Sequence, residues 1–342
     1  MSEAPLPVAS ARRRHPRVGY AMAAGAATLW AINGTVSKVI LASGISSLRL
    51  SQVRSTGAVV GFVLVLLATD RGRLRVTRRE LPFLAVFGIA GLAFVQWLYF
   101  LAIHRLAIGI ALLIQYLAPL LVALWARYVF HDSVRRRIWL ALALALLGLA
   151  VIVDVRHGGT ISTAGVVFSL AAAVAYALYI LLAEHAVGER DAVSLLAWGF
   201  AFAALFWSVI APWWSFPSGR TAAHVSLLGH LSRHHAPVWA LMAFMIVIGT
   251  IVPFFLLVSA LRHLPATRVG IIAMLEPVVA TIVAWAWLGE SLSALQLAGA
   301  AVVLSAIVLA QTAAKRTSSH RGAASAPVRG GGGSAAASVR GR

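Results

Sequence analysis

The chain nearly repeats itself. The stretch HRLAIGIALLIQYLAPLLVALWARYVFHDS from His104 reads again as RHLPATRVGIIAMLEPVVATIVAWAWLGES from Arg262. At a constant offset of 158 positions, Ala102, Leu106, Ile114, Leu117, Pro119, Ala126 and Ser133 meet Ala260, Leu264, Ile272, Leu275, Pro277, Ala284 and Ser291. An earlier match, AATLWAIN from Ala26 against AAVAYALY from Ala172, runs at an offset of 146. One unit therefore occurs twice, and the fold must be one that two copies build together. The change of offset (158 − 146 = 12) locates an insertion in the second half, between Pro212 and Pro237.

The bilayer is the expected solvent. With 61% hydrophobic and 11% charged residues over 342 positions, a water-soluble fold would expose more apolar surface than water tolerates. Apolar stretches of the roughly 20 residues that cross a hydrocarbon core as helix recur between short polar breaks. Ten spans are predicted: 18–38, 48–69, 81–103, 106–129, 138–154, 161–184, 192–212, 237–260, 266–288 and 293–312. On hydropathy the second and fifth are weakest, because Arg49, Ser51, Gln52 and Arg54 open the second and the fifth is short. The repeat supports both. The expected class is an all-α polytopic membrane protein.

A net charge of +19 would suggest nucleic acid for a soluble chain, but here the cations alternate by side. Arg12, Arg13, Arg14 and Arg17 precede the first span; Arg71, Arg73, Arg75, Arg78 and Arg79 fill the second loop; Arg135, Arg136 and Arg137 fill the fourth; Lys315 and Arg316 follow the tenth. The positive-inside rule then puts both termini in the cytoplasm, with anionic lipid as a partner of the basic loops and no nucleic acid. Arginines before an Ala-rich apolar run also resemble a secretory signal, yet nine further spans favour an uncleaved first helix. The chain has no cysteine, which excludes disulfides, thiolate metal sites and thiol catalysis.

Five spans fall in each half, 18–155 and 161–312. An odd number makes equivalent helices cross in opposite directions, so the predicted architecture is ten transmembrane helices as two inverted five-helix repeats. Asp132 and Glu290 are repeat-equivalent, yet the loop count puts one inside and the other outside. Residues 1–16 and 313–342 are basic and of low complexity, and disorder is expected there. In the insertion, Trp213, Trp214 and Phe216 have the look of an interfacial aromatic belt, followed by a short surface helix or a flexible loop. Its His224, His230, His234 and His235 fit no standard metal spacing, and no metal or cofactor is expected.

With LWAINGTVSK opening half one and ATRVGIIAMLEPVVATIVAWAWLGESLSALQLAGAAVV closing half two, the chain resembles EamA-type transporters of the drug/metabolite transporter superfamily over nearly its whole length outside the tails. Leu275, Glu276 and Pro277 at mid-helix, Gly289 and Glu290 at its end and Gly299 in the next helix follow the family pattern. The half-one copy departs from it, with Ala118 in place of the glutamate and Asp132 for the terminal one. The resemblance implies a carrier of small molecules, often an exporter of amino acids, metabolites or drugs, in the plasma membrane.

Polar side chains in mid-helix need a partner, a wet cavity or a ligand. Trp30, Asn33 and Ser37 share one face of the first helix; Tyr176 and Tyr179 are the repeat equivalents of Trp30 and Asn33; Gln96 with Tyr99, and Gln115 with Tyr116, complete the set. Pro119 and Pro277 are expected to kink their helices at equivalent depth. Glu276, an acid near mid-membrane, costs roughly 2.5 to 3.5 kcal/mol on insertion scales, and it is the leading candidate for substrate contact and proton coupling. The plainer alternative is that Gln and Tyr bond neighbouring helices, at about 0.6 kcal/mol each. Trp285 and Trp287 read as interfacial anchors; Lys38, Arg49 and Arg105 as snorkelling or paired cations; Arg54 either snorkels or pairs with Glu276. Gly34, Gly91, Gly249 and Gly299 suit close helix packing, and the equivalent pair Gly91 and Gly249 suits a hinge.

The expected function is secondary transport by alternating access around one central site, helices 3, 4 and 5 rocking against 8, 9 and 10. A passive channel or a non-transporting scaffold or sensor on the same fold is the alternative. No Walker A stretch, H-E-x-x-H or G-x-S-x-G motif occurs, so neither ATP-driven pumping nor intramembrane hydrolysis has its parts. Substrate identity, direction, coupling ion and oligomeric state are not legible in the sequence.

Overall fold

The computed structural model describes residues 15–103, 105, 108–131, 133–153, 162–289 and 293–323. The basic segment before residue 15, Asp132, the link with Arg156, Glu290 and the tail from 324 lie outside the described residues.

Most of the described backbone is helical. Named here in chain order, α1 is Pro16–Ala42, α2 Ser47–Thr69, α5 Arg136–Val153, α6 Thr163–Ala186, α7 Ala192–Ile210 and α10 Ala294–Ala323. The others are segmented. α3 joins Leu81–Val86, Phe87–Ala93 and Phe94–Ile103; α4 joins Ile108–Gln115 and Ala118–Tyr128; α8 joins Val238–Ile246, Val247–Ile251 and Val252–Ala260; α9 joins Ala266–Ala273, Leu275–Val283 and Ala284–Leu288. Among the described residues, Ser47–Thr69, Leu81–Tyr99, Thr163–Ala186, Ala192–Ile210, Val238–Ala260 and Ala266–Leu288 are long and apolar enough to cross a membrane, and Leu297–Ala310 is a shorter apolar stretch.

Local chemistry sets the ends. The side chains of Ser46, Ser162 and Asp191 accept backbone N–H groups in the first turns of α2, α6 and α7, satisfying donors a helix start leaves open. Gly44, at φ +85°, turns the chain out of α1. Beyond residue 312 the helix continues to Ala323, where disorder was expected from 313; its Ala, Lys and Arg are strong helix formers.

The halves interlock. α1 packs on α8 and α9, and α6 packs on α3 and α4, the same relation with the halves exchanged. α2 lies against α7, and α5 against α10. The first pair is antiparallel: Gln52 near the start of α2 donates to the Ala211 carbonyl just past the end of α7 at 2.6 Å, and Trp198 near the start of α7 donates to the Leu74 carbonyl just past the end of α2 at 3.1 Å. Gln52 and Trp198 are repeat equivalents at offset 146.

Two π-helical segments, Phe87–Ala93 and Val247–Ile251, carry the equivalent Gly91 and Gly249. A Cβ at Gly91 would lie 3.3 Å from the Cα of Tyr179, and one at Gly249 would lie 2.0 Å from Asn33 Oδ1. Asn33 and Tyr179 are themselves equivalent, so one contact is the image of the other. α3 meets α7 as closely: a Cβ at Gly88 would fall 2.2 Å from the Gly199 carbonyl oxygen, which is backbone and cannot swing aside. Gly88→Ala is therefore expected to cost about 1 to 3 kcal/mol, read as a lowered thermal unfolding midpoint in detergent. An unchanged midpoint would refute this packing.

The inserted stretch is neither a surface helix nor an unstructured loop. It holds short 3₁₀ turns and a two-stranded antiparallel hairpin, His224–Ser226 with His235–Pro237. Phe216, Val225, Leu227, Leu228 and Ala236 pack it against a buried cluster of α1, α2 and α8, and its hydrogen bonds to the bundle run mostly to backbone carbonyls. Arg49 donates to Ala211 and Pro212 at 2.9 and 3.0 Å and to the Ser215 hydroxyl at 2.5 Å; Arg220 donates to Gly44; Trp287 donates to Leu227 at 2.8 Å; a His230 ring nitrogen lies 3.3 Å from the Ala286 carbonyl. Trp214 is 89% exposed.

The other end of the bundle is tied ionically. Asp191 pairs with Arg73 from the α2–α3 connection at 3.4 Å and with Arg262 from the α8–α9 connection at 3.3 Å, while Arg190 pairs with Glu80 at 3.2 Å. The Thr77 backbone N–H and the nearby Arg190 hold the Glu80 carboxyl below its ordinary range. Its small share of stability is complete above that range and is lost as pH falls through the lowered value.

Candidate functional site

Both prolines stand at interruptions. α4 breaks at Tyr116–Leu117, directly before the turn that carries buried Pro119, and α9 breaks at Met274, directly before the turn that carries Glu276 and buried Pro277. A proline lacks the N–H that would continue the ladder, so it suits the first turn of a restarted helix. The two breaks face each other across the repeat: a Cβ at Gly270 on α9 would lie 3.1 Å from Pro119.

The break in α9 brings Glu276 to α4, where buried Tyr116 donates its hydroxyl to Glu276 Oε2 at 2.6 Å. Tyr176 meets Tyr116 edge to face at 6.5 Å and stacks on Tyr179 at 6.2 Å. Tyr179 and Trp30 both set edges against Phe254, at 5.7 and 5.1 Å. These centroid separations lie in the favourable range for aromatic pairs. Aromatic side chains of α1, α4, α6 and α8 thus line one continuous path from Glu276.

Arg54 closes the other side of that path. Its Nε donates to Thr250 Oγ1 at 2.8 Å, its terminal nitrogen to the Gly249 carbonyl at 3.2 Å, and its guanidinium lies 5.8 Å from the centre of the Phe254 ring. With the Gln96 amide oriented oxygen-first, Gln96 accepts from the same guanidinium at 3.0 to 3.3 Å. Arg54 does not snorkel. It stays within electrostatic reach of Glu276, as do Tyr99 and Tyr176. Gln96 and Phe254 are repeat equivalents at offset 158, so the guanidinium lies between one residue and its counterpart.

Four of the sequence-selected residues hold buried polar atoms with no hydrogen-bond partner among the described residues: Trp30 Nε1, Asn33 Oδ1, Gln115 Oε1 and Tyr179 OH. Buried polar groups are nearly always satisfied. Polar atoms of this kind beside an aromatic cluster with a carboxylate and a guanidinium give the bundle interior groups able to hydrogen-bond a small polar molecule. Thr250 and Phe254 were not selected from the sequence; the signal was there, since Phe254 is the counterpart of Gln96 and Thr250 follows the counterpart of Gly91.

The charge is one-sided. Repeat partners of Glu276 and Arg54 are Ala118 and Phe200, so a nearly symmetric scaffold holds one carboxylate and one guanidinium, each without a counterpart. Such a site can orient a small dipolar molecule.

A family model described as the EamA-like transporter family matches residues 17–154 and again 163–312. The threonine/homoserine exporter RhtA of Escherichia coli K12 is 27% identical over 269 residues, covering 78% of this chain and 80% of its own. An uncharacterized inner membrane transporter, YicL, of Salmonella typhimurium LT2 is 23% identical over 302 residues, 85% of this chain and 94% of its own. A solved crystal structure at 19% identity superposes with a TM-score of 0.70, over 87% of this chain and 98% of that one. Both halves of the repeat match the family model, and the relatives are transporters rather than enzymes. The chain is a multi-pass membrane protein and belongs to the EamA-like transporter family of the drug/metabolite transporter superfamily.

Proposed function

We propose that the chain exports small amino acids or closely related zwitterions across the inner membrane by alternating access. In this reading all ten helices cross the bilayer as two inverted five-helix repeats, residues 18–155 and 161–312, with both termini cytoplasmic. The antiparallel α2 and α7 and the exchanged packing of α1 and α6 support the inversion. The carrying observation is the pair Arg54 and Glu276, opposite charges kept inside the bundle beside orphaned polar groups. The guanidinium takes the substrate carboxylate and the glutamate its ammonium group, while Trp30, Asn33, Gln96, Tyr99, Gln115, Tyr116, Tyr176 and Tyr179 line the site. Glu276 also carries the coupling proton, and the breaks at Pro119 and Pro277 are where α4 and α9 flex. The threonine/homoserine exporter among the relatives agrees with this substrate class.

Counterflow in proteoliposomes tests it, with labelled threonine, homoserine, nucleosides and cationic dyes on wild type and Glu276→Gln from mildly acidic to mildly alkaline pH. Saturable exchange of amino acids, with its pH dependence lost in Glu276→Gln, is the expected result. Identical pH profiles would remove the coupling role, and exchange of no amino acid would overturn the substrate class.

A further inference from the structure

A cavity lies away from the central cluster. About 280 Å³ in volume, it opens between the end of α4, the end of α6 and the start of α9, and Val122, Ala126, Leu181, Glu184, Thr267 and Arg268 contribute to its wall, with Arg135 from the α4–α5 connection. Ligand pockets for drug-sized molecules run from about 300 to 1,000 Å³, so this one suits a metabolite of amino-acid size. Its wall offers both signs of charge. Glu184 Oε1 accepts the Ala266 backbone N–H at 2.8 Å, which fixes the carboxylate at the rim, and Arg268 sits in the first turn of α9.

The three helices that wall this cavity also carry the central cluster. Tyr176 precedes Glu184 by eight residues on α6, Tyr116 precedes Val122 by six on α4, and Glu276 follows Arg268 by eight on α9. At 1.5 Å per residue each separation is about 9 to 12 Å, so three helices lead from one place to the other. The repeat counterpart of the cavity wall on α9 is Ala280, Ala284 and Leu288 at the other end of the bundle. There the turn Gly229–Leu231 of the insertion packs on Ala284–Leu288, close enough that a Cβ at Gly229 would lie 2.3 Å from the Trp287 carbonyl. One mouth is open and its counterpart is filled by the connection that is twelve residues longer in the second half.

We infer that the open cavity is the entry vestibule of the transporter and holds a first binding site for zwitterions, with Arg268 and Arg135 facing the carboxylate and Glu184 facing the ammonium group. It rests on the transport reading for its direction, not for its chemistry. Substrate waits there at low affinity, and the rocking of α4 and α9 about their breaks passes it to Glu276 and Arg54.

Because the chain has no cysteine, Ala126→Cys or Thr267→Cys puts a lone thiol in the vestibule, and its reaction with a membrane-impermeant methanethiosulfonate is the readout. L-threonine is expected to slow that reaction, while n-propylamine and lactate at equal concentration, each with one of the two charges, leave it unchanged. Arg268→Gln and, independently, the isosteric Glu184→Gln should raise the threonine concentration for half-protection about tenfold, the loss of one charge-assisted hydrogen bond. Reaction at the same rate with and without threonine, in a protein that exchanges threonine by counterflow, overturns the vestibule and leaves the transport reading standing. Protection in a protein that exchanges nothing upholds the vestibule and overturns the transport reading. Equal protection by propylamine or lactate overturns the zwitterion assignment.

Discussion

Arg54→Leu should lose about 3 to 5 kcal/mol of stability and all measurable exchange. The guanidinium is held by Thr250, the Gly249 carbonyl and Phe254, and its removal leaves Glu276 as a carboxylate without a countercharge, bonded by Tyr116 alone among the groups described. Removing both charges should undo most of that loss: Arg54 and Glu276 lie within electrostatic reach of each other inside the bundle without an ion-pair contact, and opposite buried charges removed together are often tolerated where the loss of one alone is not. The double variant Arg54→Leu with Glu276→Gln is therefore expected to unfold near the wild-type midpoint and still fail to transport. Thermal unfolding in detergent together with counterflow reads both effects, and the double-mutant cycle isolates the coupling. Equal destabilisation by the single and the double variants would show that the two charges do not sense each other.

At the opposite end, Arg49→Ala should release the insertion. Arg49 donates to Gln52, the Ala211 and Pro212 carbonyls and Ser215, and hydrogen bonds from charged donors contribute about 1.5 to 3 kcal/mol each where they are well made. They are not additive, and about 3 kcal/mol of local stability is the expected loss. Local opening exposes a buried thiol in proportion to the open population. A cysteine at Ala211, which is 4% exposed, should therefore react about a hundredfold faster with an impermeant reagent in the Arg49→Ala background. Unchanged labelling would mean that the strap is held by other groups.

The sequence was informative where the physics is periodic or repeated. Recurring apolar runs located the helices to within a few residues, because a bilayer demands them, except at the end of α10, which continues past the apolar run to Ala323. The repeat singled out Gly91 and Gly249, and it paired Asn33 with Tyr179, which turned out to be the residues those glycines touch. What depends on tertiary geometry was hidden. Whether Arg54 snorkels or stays inside turns on where α8 presents Thr250 and Phe254. The hairpin at His224–Ser226 was invisible because three-residue strands carry no periodic signal. Arg49, read as a snorkelling or paired cation, is the second of these, but only the fold shows that its partners are Ala211 and Pro212. The ion pairs of Asp191 likewise join segments more than seventy positions apart.

The paired π-helical segments matter for what a widened turn does to the main chain. Each is one extra residue accommodated within a helix, and both carry a glycine of the equivalent pair Gly91 and Gly249, seated on Tyr179 and Asn33. In the second half the widened turn supplies acceptors to a buried cation: the Gly249 carbonyl and the Thr250 hydroxyl both take hydrogen bonds from Arg54. The residue equivalent to Arg54 is Phe200, so the same backbone device serves a guanidinium in one half and an apolar neighbour in the other. A third such segment, Ala284–Leu288, stands where half one closes an α-helix at Tyr128, so the two copies of the unit have diverged in their backbones as well as in their side chains.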